Sequence, residues 1–339
     1  MTLRIGINGY GRIGRLCLRA LVERPELDLT VVHINEIAAD AACMAHLTMF
    51  DSVHGRFSQN VEADDQAIYL NGQRIVYTRY PDIHDIDWAE TGVDLVIEAT
   101  GAFRRPDQLQ HHLDQGADRV VVAAPVADEQ VPNIVMGINQ HSYQPQSHRL
   151  VSAASCTTNC LAPVVKVLHE QFGIRSGTMT TMHDLTNTQV VVDKGDKDWR
   201  RARAASMSLS PTTTGSAKAI GRIFPELAGR IDGLAVRVPM LNASLTDFVF
   251  VSETPVAVES VNQALADAAA GSLAGVLGYE TRPLVSIDYV NDPRSSIVDA
   301  LSTRVIDQNL VKVLAWYDNE WGYAQRLIEL VDYMQRCPS

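Results

Sequence analysis

Three places along the 339-residue chain carry residue types and spacings that could do chemistry. The first is a thiol. The stretch Ala153 to Cys160 (AASCTTNC) sets Cys156 between Ser155 and Thr157, at the expected start of a helix running to Phe172. A helix start favours anions, thiolates among them, and its free N–H groups can hold a developing oxyanion. A cysteine there serves packing as readily as chemistry, so position alone leaves both readings open. The second is a glycine pattern. Gly9, Gly11 and Gly14 form G-x-G-x-x-G directly after the apolar run Leu3 to Asn8 and open an amphipathic stretch. Gly9 permits a tight turn, Gly11 lets the backbone approach a pyrophosphate, and Gly14 lets the following helix pack on the sheet. The N–H groups of Arg12 and Ile13 then lie at the helix N-terminus, where phosphate binds. The third is Glu36, roughly 20 residues on, a carboxylate suited to ribose hydroxyls and repulsive to a 2′-phosphate. With Thr100 and Gly101 at the carboxyl end of a further strand, the set predicts a bound dinucleotide, NAD rather than NADP. Without a cofactor the same glycines would only shape a turn.

The elements that must position these residues follow from hydrophobic period. Leu3 to Asn8 and Leu29 to Asn35 read as strands around a helix from Arg12 to Glu23, a first βαβ unit. Val93 to Ala99, Arg119 to Ala123 and Ile134 to Gly137 read as further buried parallel strands. The first half is therefore expected to be a Rossmann-type doubly wound parallel sheet. After Ser152 the texture changes. A helix over Thr157 to Phe172 is followed by strands at Gly177 to His183, Leu234 to Ser252 and Leu284 to Tyr289, an α+β pattern with a mainly antiparallel sheet. Asn319 to Arg336 reads as a closing helix. The expected division is residues 1–155 with 319–339 as the nucleotide domain, and 156–318 as the catalytic domain.

Composition excludes several classes. With 46% hydrophobic and 20% charged residues the chain is an ordinary α/β globular protein. A net charge of -11 argues against nucleic acid or an anionic membrane as partner, so an anionic ligand needs local donors. Five cysteines, at 17, 43, 156, 160 and 337, match no zinc spacing, and no metal is expected. The opening MTLRIGING has no leader pattern, and no apolar run approaches the ~20 residues of a membrane helix, so a cytoplasmic location is expected.

Beyond these local readings, INGYGRIGR, ASCTTNC, the TTMH ending at His183, TTTGSAKAI, VRVP and WYDNEWGY together resemble glyceraldehyde-3-phosphate dehydrogenase over essentially the whole chain. The resemblance implies that Cys156 attacks the aldehyde of glyceraldehyde 3-phosphate and that His183 is its acid–base partner. It also implies a thioester, which inorganic phosphate cleaves to an acyl phosphate. It assigns Ser155, Thr157, Thr214 and Gly215 to inorganic phosphate, Thr186, Arg201 and Arg237 to the substrate side, and Asn319 and Tyr323 to the nicotinamide. It further implies a homotetramer, with an S-shaped loop containing Arg200, Arg201 and Arg203 reaching a neighbour's cofactor site.

The sequence departs from that family's pattern in places that bear on cofactor preference rather than chemistry. Ala123 stands where a serine or threonine is common, Pro81 takes the place of a basic residue with Arg79 nearby, and Glu36 replaces an aspartate. Asp193-Lys194-Gly195 replaces a Leu-Pro. Two rival readings are erythrose-4-phosphate dehydrogenase, whose members typically lack the threonine kept here as Thr186, and a nucleotide-binding protein with a second, non-enzymatic role. FDSVHGRF, HDLTNTQ and NDPRSSIVDALST resemble the branch found beside arsenic-resistance genes. That branch implies arsenate in the place of phosphate and 1-arseno-3-phosphoglycerate as product.

Overall fold

A computed structural model describes residues 2–337. The chain forms two compact units, one comprising residues up to Ala154 and those from Ala324 onward, the other Ser155–Tyr323.

The first unit is built on an eight-stranded sheet. From one edge, its strands run Leu150–Ser152, Arg119–Val122, Leu95–Glu98, Leu3–Asn8, Leu29–Asn35 and Gln73–Thr78, all parallel. Ala67–Leu70 and Val61–Ala63 complete it as an antiparallel margin. Strand order reverses between Leu3–Asn8 and Leu95–Glu98, the switch point where such sheets bind ligands. The four strands at the middle bury their apolar runs on both faces, as parallel strands covered by helices must. The helix Arg12–Val22 presents Leu16, Ala20 and Leu21 to the interior.

In the second unit another eight-stranded sheet is mainly antiparallel. Ile174–His183 lies at its centre, parallel to Ile231–Arg237 on one side and antiparallel to Ser244–Ser252 on the other. The helix Cys156–Phe172 packs on this sheet and against the helices Ser216–Ile223 and Val258–Ala270.

Two expected strands are absent. Ile134 and Val135 are buried, but the segment is a turn, with Val135 N–H donating to Asn139 Oδ1 and only Asn133 bridging to Ser152. The sheet margin is instead Leu150–Ser152. An apolar run reports burial, not the ladder partner. Leu284 to Tyr289 contains a 3₁₀ turn at Ser286–Tyr289, where Asp288 Oδ2 accepts the N–H of Val285 and Ile287 is exposed. The expected strand over Leu234 to Ser252 is two strands, ending at Arg237 and resuming at Ser244. The closing helix begins at Trp321, whose N–H is capped by Asp318.

Candidate active site

In the first unit the glycine pattern shapes a nucleotide cradle. Gly9 has φ +88°, and a Cβ there would stand 2.5 Å from the backbone N of Thr100. A Cβ on Gly14 would stand 2.3 Å from the carbonyl oxygen of Gly9. At Gly11 it would meet nothing within 4 Å, so this backbone faces open space. That is the division of labour a pyrophosphate requires. Gly11 caps the helix without a side-chain bond, leaving first-turn N–H groups to an anion. The Arg12 side chain pairs with Asp51. A cavity of about 330 Å³ opens beside Gly9 and Gly11, lined by Glu36, Pro81, Thr100 and Phe103.

Glu36 lies in this cavity but is already employed. Its Oε2 accepts the N–H of Tyr10 at 2.8 Å and its Oε1 that of Ala38 at 2.7 Å. Each oxygen keeps a lone pair for a ribose hydroxyl, so the carboxylate can clamp the turn and face a ligand together. Thr100 is held by its neighbour Glu98, whose Oε1 accepts the Thr100 N–H at 2.8 Å and also its hydroxyl. Glu98 Oε2 in turn accepts from Asn8 Nδ2 at 2.7 Å and stands 3.1 Å from His112 Nε2. The indole of Trp88 donates to His112 Nδ1 at 3.0 Å, which leaves Nε2 as the donor to Glu98. No local sequence pattern announces this fully buried relay behind Thr100, because Trp88 and His112 meet Glu98 only in the fold. Gly101 has φ +70° and its carbonyl accepts from Arg104.

In the second unit the helix Cys156–Phe172 begins on the cysteine. Ser155 is the N-cap, its Oγ accepting the Thr158 N–H at 3.1 Å. Two residues earlier in the chain Ala154 has φ +56°, left-handed for a residue with a side chain, its N–H bound by Ser152 Oγ. Cys156 Sγ stands 3.6 Å from His183 Nε2. On the far side of the ring, His183 Nδ1 stands 3.0 Å from the carbonyl oxygen of Asp184 and 3.0 Å from its Oδ1, and 2.7 Å from Arg237 Nη1. His183 and Arg237 are register partners across parallel strands. Burial opposes a charge on His183, but the Asp184 carboxylate and the Cys156 sulfur outweigh it and push the imidazole up to about 9.

A hydroxyl cluster adjoins the thiol. Ser155 Oγ stands 3.2 Å from Ser216 Oγ, which accepts from Thr214 Oγ1 at 3.2 Å, and a Cβ on Gly215 would meet nothing within 4 Å. Ser216, which no sequence motif singles out, joins Ser155 to Thr214. The Thr157 hydroxyl pairs with Tyr317 Oη at 3.0 Å, and its N–H lies in the first turn of the helix. Thr186 bonds Gln189 and Thr188, and Arg201 is held by Thr212 at 2.8 Å and Asp198 at 3.6 Å. Arg203 pairs with Asp193, and Arg200 is exposed. Asn319 Oδ1 accepts from Ser244, and Tyr323 is buried. Among the described residues no group of three or more His, Cys, Asp or Glu is placed to hold a metal, and no helix is long and apolar enough to cross a membrane.

Comparison with known proteins agrees with both units. The model for the NAD-binding domain of glyceraldehyde 3-phosphate dehydrogenase matches residues 3–106, and that for the C-terminal domain matches residues 155–319. The chain is 56% identical to glyceraldehyde-3-phosphate dehydrogenase 3 of Nostoc sp. over 97% of both chains. It is 49% identical to the Geobacillus stearothermophilus glyceraldehyde-3-phosphate dehydrogenase over 98% of both. The plasmid-borne glyceraldehyde-3-phosphate dehydrogenase of Cupriavidus necator is 48% identical over 97% of both. A parallel sheet with a phosphate cradle at its switch point, a helix that begins on a thiol facing an imidazole, and near-full-length identity converge on one conclusion: the chain belongs to the glyceraldehyde-3-phosphate dehydrogenase family, with NAD as its cofactor.

Proposed function

We propose that this protein carries out the phosphorylating oxidation of glyceraldehyde 3-phosphate through a thioester on Cys156. The observation that carries this reading is the 3.6 Å approach of Cys156 Sγ to His183 Nε2 at the first residue of a helix. His183 takes the thiol proton and the thiolate attacks the aldehyde carbon, while first-turn N–H groups hold the oxyanion. Protonated His183 returns its proton to that oxyanion, giving the hemithioacetal hydroxyl, and takes the same proton back as the hemithioacetal is oxidised to the thioester. NAD, held by Gly9, Gly11, Glu36 and Thr100, supplies the two-electron acceptor, and Asn319 and Tyr323 orient its nicotinamide end. Phosphate seated on Ser155, Thr214, Gly215 and the Thr157 N–H attacks the thioester, forming the acyl phosphate and returning the thiolate. Arg237, Arg201 and Thr186 hold the phosphate carried by the substrate, a guanidinium being suited to bidentate anion binding.

The inorganic-anion donors are hydroxyls and N–H groups, which read charge and tetrahedral shape. Arsenate therefore takes the place of phosphate, giving 1-arseno-3-phosphoglycerate, and the protein serves arsenate resistance together with an efflux permease. One spectrophotometric assay tests the whole reading. NADH formation is expected from glyceraldehyde 3-phosphate in preference to erythrose 4-phosphate, with NAD in preference to NADP. It is expected to depend on phosphate, and arsenate should give kcat/KM within about tenfold of it, a difference of roughly 1.4 kcal/mol. Faster turnover of erythrose 4-phosphate would transfer the assignment to that substrate, and no NADH from either aldehyde would leave a binding role. Strong rejection of arsenate, or unchanged arsenate sensitivity of cells lacking the gene, would remove the resistance role.

A homotetramer is part of the same proposal. Val191, Val192, Trp199 and Met207, all within one loop segment, are 81%, 72%, 86% and 85% exposed in the single chain. Apolar side chains this exposed are suited to burial against another copy. Light scattering at micromolar concentration is expected to give about four chain masses, and a monomer would contradict the assembly.

A further inference from the structure

Asp184 is fully buried and neither carboxylate oxygen makes an aligned hydrogen bond, yet Oδ1 stands 3.0 Å from His183 Nδ1. A buried acid in that condition is costly unless a charge faces it. The ring nitrogen beside it is contested. Arg237 Nη1, 2.7 Å from Nδ1, can only donate and so requires a lone pair there. The carboxylate and the backbone carbonyl of Asp184 can only accept and so require a proton there. We infer that Asp184 is a positioning residue which holds the proton on His183 Nδ1 against the neighbouring guanidinium, keeping the imidazolium available beside Cys156.

The charges around the ring support this. With Asp184 ionised, thiolate, imidazolium, carboxylate and guanidinium sum to zero. Without it, two cations stand side by side with the thiolate as their only counter-charge. The remaining groups facing the cluster do not supply a substitute. Tyr317, edge-on to His183 at 6.2 Å between ring centres, is kept neutral by burial. Glu320 acts on Asp184 from the segment before the closing helix and raises it, and Arg201 adds positive charge near Arg237. Burial pushes the Asp184 carboxyl up, while His183 and the Asn319 amide draw it back down. The backbone is fixed as well, since the Asp184 N–H donates to Ser244 Oγ at 3.1 Å, which itself donates to Asn319.

This inference rests on Cys156 and His183 acting as proposed, and its test separates the two. Histidine labelled with ¹³C at Cε1 is titrated by NMR in the intact enzyme, the His183 resonance being the one missing from His183→Asn. In Asp184→Asn the His183 midpoint is expected to fall by about one pH unit or more, and kcat by about tenfold, with KM for the aldehyde changed less than about twofold. Asp184→Ser, smaller and also uncharged, should do the same and carries the reading if Asp184→Asn does not fold. An unchanged midpoint overturns the inference even if kcat falls, because loss of packing alone would do that. A lowered midpoint with intact kcat overturns it too. Retained turnover in Cys156→Ser would instead remove the thioester reading itself.

Discussion

Cys156→Ser is expected to lower kcat for aldehyde oxidation by on the order of 10⁴-fold or more while leaving the Kd for NAD within about twofold. The hydroxyl is nearly isosteric with the thiol but is far harder to ionise, so His183 cannot make it a comparable nucleophile. The nucleotide cradle is built from Gly9, Gly11 and Thr100 and holds no part of this side chain. Cys160, four residues on, cannot take over. It is fully buried, its thiol is pushed up to about 12 by burial, and its sulfur donates to Ser296 Oγ at 3.6 Å. Cys17 is buried and raised to about 12 in the same way. Stopped-flow NADH formation and mass spectrometry after alkylation check the prediction. Turnover above a few per cent of wild type, or inactivation that tracks a cysteine other than 156, would refute the nucleophile assignment.

His183→Asn is the second large effect, with kcat/KM expected to fall by about 10²–10⁴-fold, the range for a positioned general acid–base group. Its pH dependence distinguishes it from simple damage. In the wild type the imidazole is raised to about 9, so the imidazolium persists through neutral pH and is lost above that value. An alkaline limb in kcat/KM near pH 9 is therefore expected in the wild type and absent in His183→Asn. Stability carries the same sign. A histidine raised above its unfolded value of about 6.5 contributes fully below that pH, and the contribution is lost as pH rises through the folded value. Tm of the wild type should fall between about pH 6.5 and 9 more steeply than Tm of the variant. Parallel Tm curves would show that His183 carries no such charge.

Much of the fold was legible because the chain repeats local rules. Leu3 to Asn8, the three glycines and the stripe from Ile13 to Leu21 announce strand, turn and helix without reference to anything distant. The stretch from Thr157 to Phe172 announces the next helix in the same local way. The failures have a common cause. Ile134 and Val135 are as buried as a strand would make them, but after the Ile134 N–H reaches the Ser152 carbonyl the pairing stops, because the Val135 N–H finds Asn139 Oδ1 and the Ile138 N–H finds the Val135 carbonyl. Leu284 to Tyr289 alternates on paper, but Asp288 reaches back to the Val285 N–H and closes a 3₁₀ turn. In both, a side-chain or local hydrogen bond outcompeted the sheet.

The sequence alone determined which residue types were present and the local geometry of each: a thiol at a helix start, glycines at a strand end, a histidine ending an alternating run. Only the tertiary structure decided which of them meet. The strand register that sets His183 beside Arg237 joins residues 54 positions apart. The cluster of Ser155, Ser216 and Thr214 spans about as far, and Glu98 acquires its role only where neighbouring strand ends bring it beside Asn8, which Asn35 holds from the other side. Asp184 shows the limit most clearly. Its place after the histidine is plain in the sequence, but its burial and its competition with Arg237 for one ring nitrogen exist only once the strands pair. Local propensity acts over a few residues, whereas charge and burial act over a few ångströms of space, and folding alone converts one kind of nearness into the other.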